Sequence, residues 1–239
     1  MYHPRSSHHG DTLVKFILDD LIETCPAFRT AAKEGKIVYK LNHAVNPNTP
    51  DEWDIDLIVG PGGLNFQQTM GQPITAGEPT DIWIAVDAKG VMTEHGKARK
   101  NRYRDLSAFH SKMHGYRPNA IAAGIVTINI APRFRSPLRP EGEVTEHKNI
   151  ERLAEETVAL FAGLPKGNPG LEAISVIVLA HTNIKGDQTT LRKGRPSPAP
   201  GELLSYDLFV RDICREFQAR HGSGLETPSR DAGPRTTFG

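Results

Sequence analysis

The chain predicts an α/β fold, a mixed central β-sheet flanked by helices, and three observations carry that prediction. Short apolar runs rich in β-branched residues recur along its 239 residues. From residue 90 onward these runs alternate with longer segments whose apolar residues repeat at helical spacing. Gly- and Pro-marked stretches separate them, as expected of loops between packed layers.

In order along the chain, Leu13, Val14, Ile17, Leu18, Leu21 and Ile22 define an amphipathic first helix from Asp11 to Cys25, which Pro26 is expected to stop. Ile37 to Leu41 reads as a short strand, Asn46 to Pro50 as a turn, and Trp53 to Val59 as a second strand broken by Gly60-Pro61-Gly62-Gly63. Leu64 to Thr80 is polar and reads as a loop, and Ile82 to Val86 is a strand apolar enough to be buried on both faces. A long helix from about Thr93 to His114 places Leu106, Phe109 and Met113 on one side. Ala120 to Ile130 is a strand, Glu146 to Phe161 a helix, Ala173 to Ala180 a buried strand and Leu203 to Arg220 a last helix. Early strands joined by short connections pair as hairpins, and later ones cross over through helices.

Composition bounds the function. A hydrophobic content of 38%, a charged content of 24% and no apolar run near the roughly 20 residues of a membrane span describe a chain with a globular core and no membrane partner. No secretory signal is visible, so the expected location is cytoplasmic. One domain is expected over residues 1–220, with a disordered tail over 221–239, where apolar residues are few. Cys25 and Cys214 are far apart and outside any Cys-x-x-Cys pair, and read as two core thiols.

The net charge is only +1, but its distribution is uneven. Lys97, Arg99, Lys100, Arg102 and Arg104 crowd one segment, Arg133, Arg135 and Arg139 a second, and Arg192, Lys193 and Arg195 a third. A polyanion such as DNA is therefore drawn to one side of the molecule.

The chemistry concentrates in two strands. Asp54-Ile55-Asp56 opens one, and Ile82-Trp83-Ile84-Ala85-Val86 runs into Asp87-Ala88-Lys89 at the end of another. Alternate residues of a strand share a face, so Asp87 and Lys89 project together. A hairpin-like order brings Asp56 beside Asp87. Two carboxylates suffice to bind a hard divalent cation such as Mg²⁺, or Mn²⁺ in its place, which keeps several waters and completes its shell with substrate phosphate. Lys89 is suited to orient the attacking water and to stabilise the charged transition state. Asp54 is the rival to Asp56; Asp56 is preferred because the apolar run begins directly after it.

An acid entering an apolar strand, then an apolar strand ending in Asp-x-Lys, on a helix–strand–strand–strand–helix–strand order, resembles the PD-(D/E)XK nuclease superfamily, and type II restriction endonucleases within it. The resemblance covers roughly Asp11 to Ile130. It implies that Asp56 is the first acid, Asp87 the second and Lys89 the lysine of the motif, with isoleucine where proline commonly precedes the first acid and Asp where Glu is commoner as the second. Many members add an acid from the first helix as a metal ligand. Of Asp19, Asp20 and Glu23, Asp20 stands nearest the apolar face.

Directly after the motif, Lys97, Lys100 and Arg104 form one helical stripe flanked by Arg99 and Arg102, suited to grip phosphates. Asn101 and Tyr103 are interleaved with it and within reach of a base or the backbone of DNA. The pairs His8–His9 and His110–His114 lack further ligands at metal-site spacing and read as surface or packing residues. The glycines after the second strand lack a phosphate-loop ending. The reading is a Mg²⁺-dependent DNA endonuclease of restriction or host-defence type, a two-fold homodimer if it cuts both strands at a symmetric site. A repair or recombination nuclease of the same fold and an inactive nucleic-acid-binding protein are its rivals.

Overall fold

A computed structural model describes residues 8–63, 72–136, 140, 143–167 and 169–222. Helix α1 spans His8–Thr24 and α2 Pro26–Lys33; strands β1 (Ile37–Val45), β2 (Trp53–Pro61), β3 (Thr75–Ala76) and β4 (Ile84–Val91) follow. Then come α3 (His95–Tyr116), β5 (Ile121–Asn129), β6 (Arg133–Phe134), β7 (Thr145–Glu146), α4 (Ile150–Ala162), β8 (Ala173–Ala180), β9 (Thr190–Leu191) and α5 (Tyr206–His221). Seven strands form one sheet in the order β3-β1-β2-β4-β5-β8-β9, and β6 and β7 form a separate ribbon.

The sheet is mixed. β1, β2 and β4 are successively antiparallel, whereas β4, β5 and β8 are parallel and are joined through α3 and α4. The first half of β4 and most of β5 and β8 are apolar because both faces are covered there. On one face Val14, Ile17 and Leu21 of α1, Phe28 of α2, and Phe209, Ile213 and Phe217 of α5 close a core over Leu57, Val59, Ile84 and Val86. On the other, Leu106, Phe109 and Met113 of α3 and Phe161 of α4 pack over Ile58, Ala85, Ala122 and Val126. Burying each such side chain contributes on the order of 2 kcal/mol.

Gly60 is fixed by close approach: a Cβ there would lie 1.9 Å from the carbonyl oxygen of Asp81, where the chain runs back into β4. Gly60 thus serves packing.

Several expectations are corrected. Pro26 ends α1 but also begins α2, at a position where its missing N–H costs nothing. The first part of the expected 64–80 loop falls outside the described residues, and Thr75–Ala76 forms an edge strand parallel to β1. β4 continues past Asp87 and Lys89 to Val91, paired with β5 along its whole length, so the motif lies inside the strand and not at its end. Cys25 and Cys214 form a disulfide between the α1–α2 junction and α5, not two thiols. α5 extends through His221, and the remainder of the expected tail, apart from Gly222, lies outside the described residues, as do Arg139 and the side chains of His8 and His9. Among the described residues no helix is long and apolar enough to cross a membrane.

Candidate active site

β2 and β4 are held in register by Leu57 opposite Val86, Ile58 opposite Ala85 and Val59 opposite Ile84. One step beyond, Asp56 and Asp87 are the next facing residues and share one face of the sheet. There a side chain takes over from the ladder: Asp56 Oδ2 accepts the backbone N–H of Ala88 at 2.6 Å. That bond satisfies a strand amide and fixes the orientation of the carboxylate.

Asp87 is 4% exposed, and its Oδ1 accepts a hydrogen bond from Lys89 Nζ at 2.5 Å. Burial pushes its carboxyl up to about 7; the Lys89 ammonium opposes the shift, while the charge of Asp56 and a hydrogen bond between the two carboxyls add to it. A buried acid and a half-buried one with one ammonium between them carry a net negative charge when both acids ionise. Such a site favours a further cation.

Asp56 and Lys89 stand on the wall of a cavity of about 1060 Å³ outside the carboxyl ends of β4, β5 and β8, where open parallel sheets commonly bind ligands. Asp20, Asp56, Lys89, Lys97, Asn101 and Arg102 all line it, and the buried Asp87, in contact with Asp56 and Lys89, does not. Asp54 is exposed and does not line it, which separates it from Asp56.

Asp20 reaches this cavity from α1, and its Oδ2 accepts a hydrogen bond from the Tyr206 hydroxyl at 2.5 Å. Burial and that bond push the Tyr206 hydroxyl well above the usual phenol range, so it remains a donor. Tyr206 was not legible as a site residue: it opens α5, 186 positions from Asp20, and no local pattern links the two. Asp20 does not complete a three-acid cluster with Asp56 and Asp87. Among the described residues no group of three or more His, Cys, Asp or Glu side chains is placed to hold a metal ion. Asp56 and Asp87 are two hard oxygen donors in contact.

The basic segment of α3 divides. Lys97 and Arg102 line the cavity with Ala98 and Asn101, because residues four apart share a helix face. Lys100 and Arg104 are exposed and do not line it, so the stripe expected from Lys97, Lys100 and Arg104 is not the face the site sees. Arg99 is engaged by Glu156 of α4 at 2.7 Å, and Arg102 pairs with Asp105 at 2.9 Å. Tyr103 packs toward Phe161, with ring centroids 6.2 Å apart, and serves the core. Neither His110 nor His114 lines the cavity; His114 pairs with Glu172.

The chain matches no protein-family model, no curated protein and no solved structure.

Proposed function

We propose that the protein is a Mg²⁺-dependent deoxyribonuclease that hydrolyses DNA phosphodiester bonds as an endonuclease, with Asp56 and Asp87 as metal ligands and Lys89 as the cation that orients the attacking water. The observation that carries this reading is the contact of two strand carboxyls, one fully buried and raised to about 7, with a lysine on the same strand face at the edge of a cavity. A carboxyl pair in that state accommodates a divalent cation, which when bound lowers the pKa of a coordinated water and offsets charge on the scissile phosphate. Mn²⁺ fits the same oxygen donors.

The chain's own groups supply the rest. Asp56 is pre-oriented by the Ala88 amide, so no side-chain freedom is lost when it takes a ligand. The Lys89 ammonium, 23% exposed, reaches from Asp87 toward the cavity, where it holds a water and neutralises a phosphoryl oxygen. Asp20, held by Tyr206, adds negative potential from the opposite wall. Lys97 gives the phosphate backbone a point of attachment that carries no sequence information.

Cleavage of supercoiled, linear and single-stranded DNA in Mg²⁺ or Mn²⁺ tests the proposal. Asp87→Ala and Lys89→Ala each lower the cleavage rate by at least about a hundredfold while the circular dichroism spectrum is retained. Intact DNA in every condition with the wild-type protein overturns the reading, and salt-sensitive binding without hydrolysis assigns the chain to non-catalytic nucleic-acid binding. Discrete fragments indicate a restriction-type enzyme; preference for ends, flaps or junctions indicates a repair or recombination enzyme.

A further inference from the structure

Among the described residues the two most exposed large hydrophobic side chains are Leu191, at 67%, and Phe16, at 59%. Scattered exposed apolar residues need no explanation. These two, however, both line the cavity that holds Asp56 and Lys89, although they come from distant elements, α1 and β9. On α1, Leu13, Phe16 and Asp20 follow one another at helical spacing and line the cavity together. Phe16 is thus excluded from the buried face of Val14, Ile17 and Leu21 and presented to the cavity instead.

The chemistry of the lining limits what can use that surface. In a duplex each base is stacked between its neighbours, so only an unpaired nucleotide offers a ring face to Phe16. A cavity of about 1060 Å³ has room for a few nucleotides of one strand. The lining combines exposed apolar faces with the cation Lys97 and with Arg192, whose guanidinium is shared with Glu151 at 3.5 Å, a combination by which proteins hold unpaired strands through base stacking and phosphate contact.

We infer that the cavity receives an unpaired segment of DNA, with a base stacked on Phe16 and Leu191 bordering the same slot, and with phosphates led past Lys97 toward the acid pair. The direction toward Asp56 and Asp87 rests on the nuclease reading; the strand slot itself does not. The substrate class is therefore DNA with a single-stranded stretch, an end, a flap or a locally opened duplex.

Fluorescence anisotropy in EDTA, where no divalent cation supports cleavage, tests the slot. The probes are a fluorescein-labelled oligothymidylate, the same strand with abasic residues, and its duplex with oligoadenylate. The expected result is at least about tenfold tighter binding of the single strand than of the duplex, and about tenfold weaker oligothymidylate binding by Phe16→Ala. Leu191→Ala acts in the same direction by less, Phe16→Trp restores binding, and the abasic strand is indifferent to all three. Equal affinity for strand and duplex, or an equal loss by Phe16→Ala on the thymidylate and abasic strands, overturns the inference. Phe16 is largely exposed, so its replacement leaves the fold intact, as circular dichroism will verify. Cleavage assays separate this claim from the one beneath it. Strand binding that depends on Phe16 without hydrolysis leaves the slot standing and removes the nuclease reading. Hydrolysis that depends on Asp87 but not on Phe16 does the reverse.

Discussion

Glu172 and Asp87 are both buried acids at the sheet, 5% and 4% exposed, and they are treated in opposite ways. Glu172 stands at the amino end of β8, where Arg220 Nη2 approaches its Oε1 at 2.7 Å, His114 Nε2 lies at 3.1 Å and the Ala122 N–H donates to Oε2 at 2.8 Å. It ties the start of β5 to the ends of α3 and α5. Asp87, toward the carboxyl ends of the same strands, has Lys89 as its ammonium partner and a second acid, Asp56, against it. A buried carboxylate surrounded by donors is structural. One left beside another acid, at a cavity, holds its charge only at a cost, and that cost is relieved by whatever cation the cavity admits.

Substitution separates the two acids. Glu172→Ala removes the partner of Arg220 and His114 and leaves the Ala122 amide unpaired, for a loss of about 3 kcal/mol in chemical unfolding. It leaves divalent-cation binding at the other end of the sheet unchanged. Asp87→Asn is expected to have the opposite sign in EDTA at pH 8: removing an acid ionised against its surroundings stabilises the fold, by on the order of 2 kcal/mol. A destabilisation by Asp87→Asn under those conditions would place Asp87 with Glu172 as a structural group.

A smaller effect sharpens the same point through pH. The Asp87 carboxyl titrates near 7 in the folded protein against 3.8 ordinarily, so the folded state binds the proton more tightly than the unfolded one. The stability this confers is fully present below about pH 4 and is lost as pH rises through 7. Thermal melting in EDTA should therefore show Asp87→Asn gaining on the wild type across that window, with the two curves parallel above it. Addition of Mn²⁺ should raise the wild-type melting temperature more at pH 8 than at pH 5.

Those two acids were not equally legible in the sequence. Asp87 and Asp56 stood out because charged residues interrupt runs of Val, Ile and Ala, and strand alternation alone placed Asp87 with Lys89. The large strands were readable for the same reason, since apolar runs buried on both faces carry a strong local signal. Glu172 has no such context, because its partners Arg220 and His114 come from helices 48 and 58 residues away. Tyr206 and the Cys25–Cys214 bridge were hidden by the same distance, 186 and 189 residues. Pro26 was read as the stop of α1, which it is, but the start of α2 went unseen because the proline that ends one helix also opens the next. The basic stripe of α3 was readable as charge but not as a face. Which side of a helix meets the cavity depends on how Leu106, Phe109 and Met113 seat against the sheet, and Arg99 and Arg102 are claimed by acids that sequence order does not rank.

The central claim, that Asp56 and Asp87 together hold a divalent cation, is tested most directly by Mn²⁺ binding followed by the loss of the free-ion paramagnetic resonance signal at pH 8. The wild-type protein is expected to bind Mn²⁺ saturably, with binding abolished by Asp56→Asn and by Asp87→Asn and retained by Asp54→Asn and Glu172→Ala. Absence of Mn²⁺ binding by the wild-type protein, or binding indifferent to Asp56→Asn and Asp87→Asn, would contradict it.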